Sequence, residues 1–283
     1  MHVHIRSRGR CWTRLAALST LIVGVLTLPA LAFGQNEEGD IEQYKVRVSG
    51  FWFYFSPIVS LQAANHGGTL DFNHDFAFNT YSTFLGKADW KFTRKNHLYL
   101  SAAPFDQSNQ AVLDRTINFR GQTFAVGATA RGQIQATLFA PGYQYDILRG
   151  RRGHLGIGVQ IDLFRTTGKI SAAAQVTGQG VHQAASSSSA SLLAPIPVAG
   201  PEFRLYLTKS PRLFVNGQVF GMYFFGYGNF YSTTDYLGFA VSKSLSINAG
   251  YAIGSSLRVN DTSSRVGLNL VQKGPIVGVD VSF

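Results

Sequence analysis

Cysteine is all but missing from this sequence. The 283 residues contain one, Cys11, so the chain beyond it can form no disulfide and no thiolate metal site. Cys11 also precedes the apolar run that follows it, which excludes a lipid-anchored cysteine at the end of a leader. Long apolar runs are missing as well. After residue 34 every such stretch is broken by glycine, proline or a charge within about ten residues, against the ~20 that a membrane-crossing helix needs. Charge is scarce, at 14%. The densest basic run, Arg149-Gly150-Arg151-Arg152-Gly153, is too small a field for a nucleic-acid partner. No glycine-rich loop sits between a strand and a helix, so a nucleotide site is excluded.

What is present begins with a leader. Arg6, Arg8, Arg10 and Arg14 precede an uncharged apolar stretch over 15–28, and Ala30-Leu31-Ala32 offers a small-x-small cleavage site, with Ala32-Phe33-Gly34 as a second. That three-part order is a secretory signal peptide over 1–34. Without its four arginines the chain keeps 21 basic and 15 acidic residues, a net +6. Lipopolysaccharide phosphates suit a modest positive charge on an exported protein.

The rest is dominated by period-two alternation, the pattern of strands with two unlike faces. In the first segment Val46, Val48, Gly50, Trp52 and Tyr54 share one face, and Lys45, Arg47 and Ser49 the other. Phe84, Gly86, Ala88, Trp90 and Phe92 alternate with Lys87, Asp89 and Lys91. The clearest segment sets Leu155, Ile157, Val159, Ile161 and Leu163 against Gly156, Gly158, Gln160 and Asp162. Ten such segments can be laid out, the later ones near 134–148, 198–207, 213–220, 235–242, 245–257 and 265–283. Short turns near 93–96, 149–153, 208–211 and 243–244 alternate with long excursions near 57–82, 106–132 and 165–194. The second carries a hairpin at Arg120-Gly121, and the third a Ser186-Ser187-Ser188-Ser189 core.

Alternating segments of about ten residues, short turns on one side and long loops on the other are the signature of a transmembrane β-barrel. The expectation is an all-β, up-and-down antiparallel barrel over 35–283 with ten strands, eight or twelve staying open. Pro141, Pro201 and Pro275 fall inside strands of a wall with no free edge, which predicts bulges or register breaks there. Lys45, Arg47, Lys87, Asp89, Lys91, Asp146, Asp162, Glu202, Arg204 and Asp280 then point into the lumen. Their balanced signs allow pairing, for instance Asp280 with Lys45 or Arg47. Trp52, Trp90, Tyr143 and Tyr145 point outward as an aromatic girdle.

The last strand, with Val277, Val279, Val281 and the terminal Phe283 on one face, resembles the C-terminal assembly signal of bacterial outer-membrane barrels. Together with Gly142-Tyr143-x-Tyr145-Asp146 and Trp90-Lys91-Phe92, it makes the chain resemble small Gram-negative outer-membrane barrels, loosely the families called OmpA-type and OmpW-type. The resemblance implies insertion by the barrel assembly machinery, with outer-membrane lipid and lipopolysaccharide as surroundings, and a monomer.

Catalytic patterns are weak. Omptin-type proteases place acid pairs and an Asp-His pair at the extracellular rim; the nearest counterpart, Asp71-Phe72-Asn73-His74-Asp75, departs from that spacing and lacks a second acid pair. His97 and His154 lie at the turn end, the wrong end for lipid A hydrolysis, and His182 lies in the serine-rich loop. The reading is a non-enzymatic barrel without a cofactor or metal, with a structural or surface-interaction role. A narrow channel for small solutes or apolar molecules is the alternative, and a loop-borne protease or lipid A hydrolase a distant third. If the leader is cleaved, mass spectrometry of the membrane-resident protein should find Phe33 or Gln35 at its start; an intact Met1 there would refute it.

Overall fold

The computed structural model describes residues 42, 44–63, 68–119, 122–172, 175–177, 180–183, 186–208, 212–224, 228–261 and 266–283. The leader over 1–34, the turn residues Arg120 and Gly121, and the side chain of His182 lie outside them. Ten antiparallel strands form the wall: β1 (Val46–Ala63), β2 (Tyr81–Lys91), β3 (Asn96–Val112), β4 (Thr129–Gly150), β5 (Gly153–Ala172), β6 (Ser186–Tyr206), β7 (Leu213–Phe224), β8 (Gly228–Ala240), β9 (Leu245–Asp261) and β10 (Val266–Ser282). Each pairs with its sequence neighbours, and β10 pairs with β1 from Arg47 opposite Ser282 to Ala63 opposite Val266. The barrel is therefore closed. At the seam the Phe283 amide donates to the Val46 carbonyl (2.8 Å), and the Lys45 amide to the Phe283 carbonyl (2.7 Å).

The wall runs further than the alternation suggested. β1 continues through Pro57 to Ala63, β3 to Val112, and β5 and β6 pair all the way from Gly153 opposite Leu205 to Ala172 opposite Ser186. The long excursions shrink to 64–80, 113–128 and 173–185, and the serine run is wall rather than loop. β8 likewise begins at Gly228, well before 235. The reason lies in an inversion of polarity. Near the turns, the outer face is apolar (Trp90, Leu98, Leu100, Tyr145, Ile157, Val159, Ile161) and the inner face polar. Further up, the outer face carries Asp106, Arg131, Gln133, Arg165, Lys169 and Ser189, while Ile134, Phe164, Ile170, Ala190, Ile196 and Val198 are buried inside. Strands of 20–22 residues, at ~3.3 Å per residue and ~45° tilt, reach roughly 45–50 Å. An apolar band ~25 Å tall covers about half of that. The remainder stands in water, held by a buried apolar interior as in any soluble protein.

The prolines break ladders but not register. Pairing between β4 and β5 lapses from Phe139–Leu163 to Gly142–Gln160, between β6 and β7 from Ala199–Gly221 to Glu202–Gln218, and between β1 and β10 from Phe53–Ile276 to Ser56–Lys273, with the same offset on both sides each time. Each lapse faces one neighbour only, since Pro141, Pro201 and Pro275 still pair on their other side with Leu100, Ile157 and Tyr251. A missing N–H costs one bond on one side, and Gly200 and Gly274 let the neighbouring backbone close in: a Cβ on either would stand 1.8 Å from a carbonyl oxygen, of Val219 or Tyr54. The register shifts lie elsewhere, between Asp146 and Leu148, Tyr231 and Thr233, and Ile253 and Ser255.

Two substitutions separate the zones. Val159→Arg, on the outer face within the apolar band, should cost about 2–4 kcal/mol in bilayer unfolding. Thr167→Arg, on the same face above the band, should stay within about 0.5 kcal/mol. Equal costs would mean that the outer face meets one solvent along its whole length.

Candidate functional site

The lumen divides into three levels. At the turn end it is filled by ionised groups around Glu42, which precedes β1 and has 1% of its side chain exposed. The Glu42 carboxylate accepts from His154 Nδ1 (2.8 Å), the Tyr206 hydroxyl (3.2 Å), Arg47 (3.4 Å) and Arg149 (3.4 Å), with Arg204 Nε at 3.8 Å. Its backbone carbonyl takes the Lys91 ammonium. Burial alone would raise this carboxyl, but His154, Arg47 and Arg204 outweigh it and hold it well below the usual carboxylate range. Beside it His97 lies between Asp89 (3.1 Å) and Asp146 (3.2 Å), an arrangement satisfied when both ring nitrogens carry protons. Asp146 also takes Arg149 Nη1 (2.6 Å), and Asp280 takes Arg204 Nη2 (3.2 Å). Arg47 stacks over the Tyr44 ring at 3.9 Å. Charges inside so dry a space persist only when nearly every one has a partner.

At the opposite end the filling is apolar. The helix α1 (Phe72–Phe76), capped by the Asp71 side chain and ended by Ala77 in the left-handed region (φ 48°), turns Phe72 and Phe76 inward beside Phe78. A hairpin of Ile117–Phe119 and Gln122–Phe124 adds Ile117, Phe119 and Phe124, all buried. Between the two fillings lie two cavities, about 80 and 40 Å³, that share Phe53, Leu85 and Leu138 in their walls.

Arg47, Asp89, Asp146, Arg204 and Asp280 converge in the turn-end network. Lys91 reaches it through the Glu42 carbonyl. Lys87, Glu202 and Asp162 face the larger cavity, Lys87 pairing with Glu202 at 3.4 Å. Lys45 is exposed and outside the network, which corrects its assignment to the lumen: it stands below the first paired residue of β1. Asp280 meets Arg204 across the barrel rather than Lys45 or Arg47. Its register partner on β1 is Ser49, and Arg204 reaches it from β6. Trp52, Trp90 and Tyr145 are exposed on the outer face and Tyr143 is half-buried there, its hydroxyl on Asn96. Trp90, Tyr143 and Tyr145 lie near the turn end, and Trp52 six residues up β1. Val279 and Val281 line the outer face of β10, and Phe283 ends it, exposed.

Sequence reasoning missed Glu42, Tyr44, Arg149 and the structural use of His97 and His154. Glu42 belongs to no alternating segment, and Arg149 and His154 meet it only in the folded barrel. The Asp71–Asp75 segment forms α1 and its cap. Both oxygens of Asp75 are held by Arg115 (2.8 and 2.7 Å), while His74 is largely exposed. His74, Asp75 and Asp114 are the one group of possible metal ligands that converges among the described residues, and Arg115 already occupies its buried member.

Glu42→Gln should lower stability by about 3 kcal/mol at neutral pH, because it leaves buried guanidinium groups uncompensated. The Glu42 carboxyl is depressed in the folded state, so its contribution is complete above about pH 4.5 and is lost as the pH falls through the folded value. Denaturant unfolding of both forms should therefore differ at pH 7 and converge in strong acid. Equal stability at pH 7 would overturn this account.

No family model matches the sequence, and no curated protein is similar to it. Among solved structures, the outer-membrane protease OmpT of Escherichia coli superposes at a TM-score of 0.56 with 10% identity, over 87% of this chain and 98% of that one. The attachment invasion locus protein Ail of Yersinia pestis matches at 0.34 and 12% identity, over 83% and 99%. The toluene transporter TodX of Pseudomonas putida matches at 0.37 and 7%, over 85% and 90%. At 10% identity the likeness to OmpT establishes the fold alone, that of an outer-membrane β-barrel.

Proposed function

We propose that this chain is an exported, non-enzymatic resident of the bacterial outer membrane, with a structural role or one carried by the surface it raises above the bilayer. The observation that carries this reading is the locking of Glu42 among Arg47, Arg149, Arg204 and His154, which fills one end of the lumen while the aromatic filling of α1 and the hairpin occupies the other. A conducting pore needs a wetted path and, for selectivity, a dominant sign on its wall. Here both signs are present, and those at the turn end are paired.

The remaining parts of the reading rest on separate features. The arginine-rich start and Ala30-Leu31-Ala32 support export. The outward Val279, Val281 and terminal Phe283 support recognition by the barrel assembly machinery. Arg165 and Lys169, exposed above the apolar band, suit lipopolysaccharide phosphates. β1 and β10 pair at the seam, so no free sheet edge is left there to recruit a second copy, which favours a monomer. A narrow channel is the second reading, and the mid-lumen cavities favour it. Planar-bilayer recording of the purified protein decides between them: no steady conductance is expected, and stable, reproducible single-channel steps would overturn the sealed barrel.

A further inference from the structure

The β2–β3 ladder stops early. Pairing runs from Lys91–His97 to Gly86–Ala102 and goes no further, although β2 continues to Tyr81 and β3 to Val112. Pro104, with no N–H to give, falls in the first unpaired stretch. Side chains bridge the two sides there: the Thr83 hydroxyl donates to the Pro104 carbonyl, and the Gln107 amide to the Asn79 carbonyl (3.2 Å). The gap lies about eight residues from the turn, or roughly 20 Å up a tilted strand, towards the outer edge of the apolar band.

Directly inside it is the smaller cavity, about 40 Å³, walled by Phe53, Leu85, Phe105, Leu138 and Phe164. Phe53, Leu85 and Leu138 also line the larger one, about 80 Å³, whose remaining wall is mostly polar. The two abut along that shared wall, an amphipathic chamber in two parts, with β5 at the boundary. Phe164 belongs to the apolar part, and Asp162, the next inward residue, to the polar part. Together they are somewhat smaller than the ~150 Å³ cavity that admits a benzene ring.

The polar part is short of positive charge. Among the groups lining it, Arg47 and Arg204 face Glu42 and Asp280, and Asp89 faces His97. That leaves Lys87 against two carboxylates. Lys87 sits on one oxygen of Glu202, whose Oε2 has no partner among the described residues. Asp162, 1% exposed, accepts from Gln160 (2.6 Å) and, among the described residues, from no cation. A buried carboxylate without a counter-charge is costly, and a ligand that brings the charge removes the cost.

We propose that this chamber binds a small amphiphilic amine, its ammonium at Asp162 and Glu202 and its apolar body among Phe53, Leu138 and Phe164, admitted from the membrane side through the gap between β2 and β3. The lateral route makes the site independent of whether the lumen conducts.

n-Butylamine and the uncharged n-butanol, of nearly equal shape and each with fewer heavy atoms than benzene, are the probes. Titration calorimetry into the full barrel in phospholipid nanodiscs, with empty nanodiscs subtracted, should show one saturable site that binds the amine at least ten-fold more tightly. Asp162→Asn should abolish that preference, and Leu138→Trp, which fills the junction of the two cavities, should abolish binding of both probes. Equal affinity for the two probes, no saturable binding above empty nanodiscs, or an amine preference that survives Asp162→Asn would each overturn the proposal. The first two outcomes are read on the unmodified protein and hold whether or not a variant folds.

Discussion

In hydrocarbon no water is at hand to satisfy a backbone amide or carbonyl, so a strand there needs a partner on both sides. Everything else in this molecule depends on β10 meeting β1. That closure sets Ser282 beside Arg47 and aligns the inward rows of the ten strands around one axis. Only then do Asp280 and Arg204, 76 positions apart in sequence, come within hydrogen-bonding distance. The buried charges are thus a product of the wall. Once formed, they fix one arrangement of it, because a register slip of one residue would turn Arg47, Asp89 and Asp280 into lipid.

How much was legible in the sequence depended on which solvent each face met. Between Ile157 and Leu163 apolar residues face lipid, and Gly158, Gln160 and Asp162 face the lumen, so alternation declares the strand. Higher on the neighbouring strand, Ser187, Ser189 and Ser191 face water while Ala190, Leu192, Ala194 and Ile196 point inward. The inward residues are small or moderate and the outward ones serine, so the stretch reads as low-complexity loop. The same strand carries Pro195 and Pro197 without losing its pairing to β5, where Pro195 stands opposite Leu163 and Pro197 opposite Ile161.

The candidate site was half legible for a different reason. Inward direction follows from parity along a strand, so Arg47, Asp89, Asp146, Arg204 and Asp280 could be named without coordinates. Partners follow from tilt and closure, which no local pattern encodes, and pairing Asp280 with a residue of adjacent β1 overlooked the reach of Arg204 across the lumen. Glu42 has no strand to give it a parity. His97 and His154 were judged only as candidates for lipid A hydrolysis, whereas each is held by a carboxylate distant in sequence, Asp146 and Glu42.

The reversal of polarity along the wall gives one continuous set of strands two kinds of stability. The upper part owes its cohesion to apolar burial from water, which weakens on cooling and in urea. The lower part is matched to the thickness of a hydrocarbon slab, to which temperature and urea matter less than acyl-chain length. A thinner bilayer would strain the rows around Ile157 and leave the Phe72–Phe76 filling untouched, while moderate urea would loosen that filling and spare the turns. Adaptation to a colder habitat and adaptation to a different lipid would accordingly act on separate residues of the same ten strands.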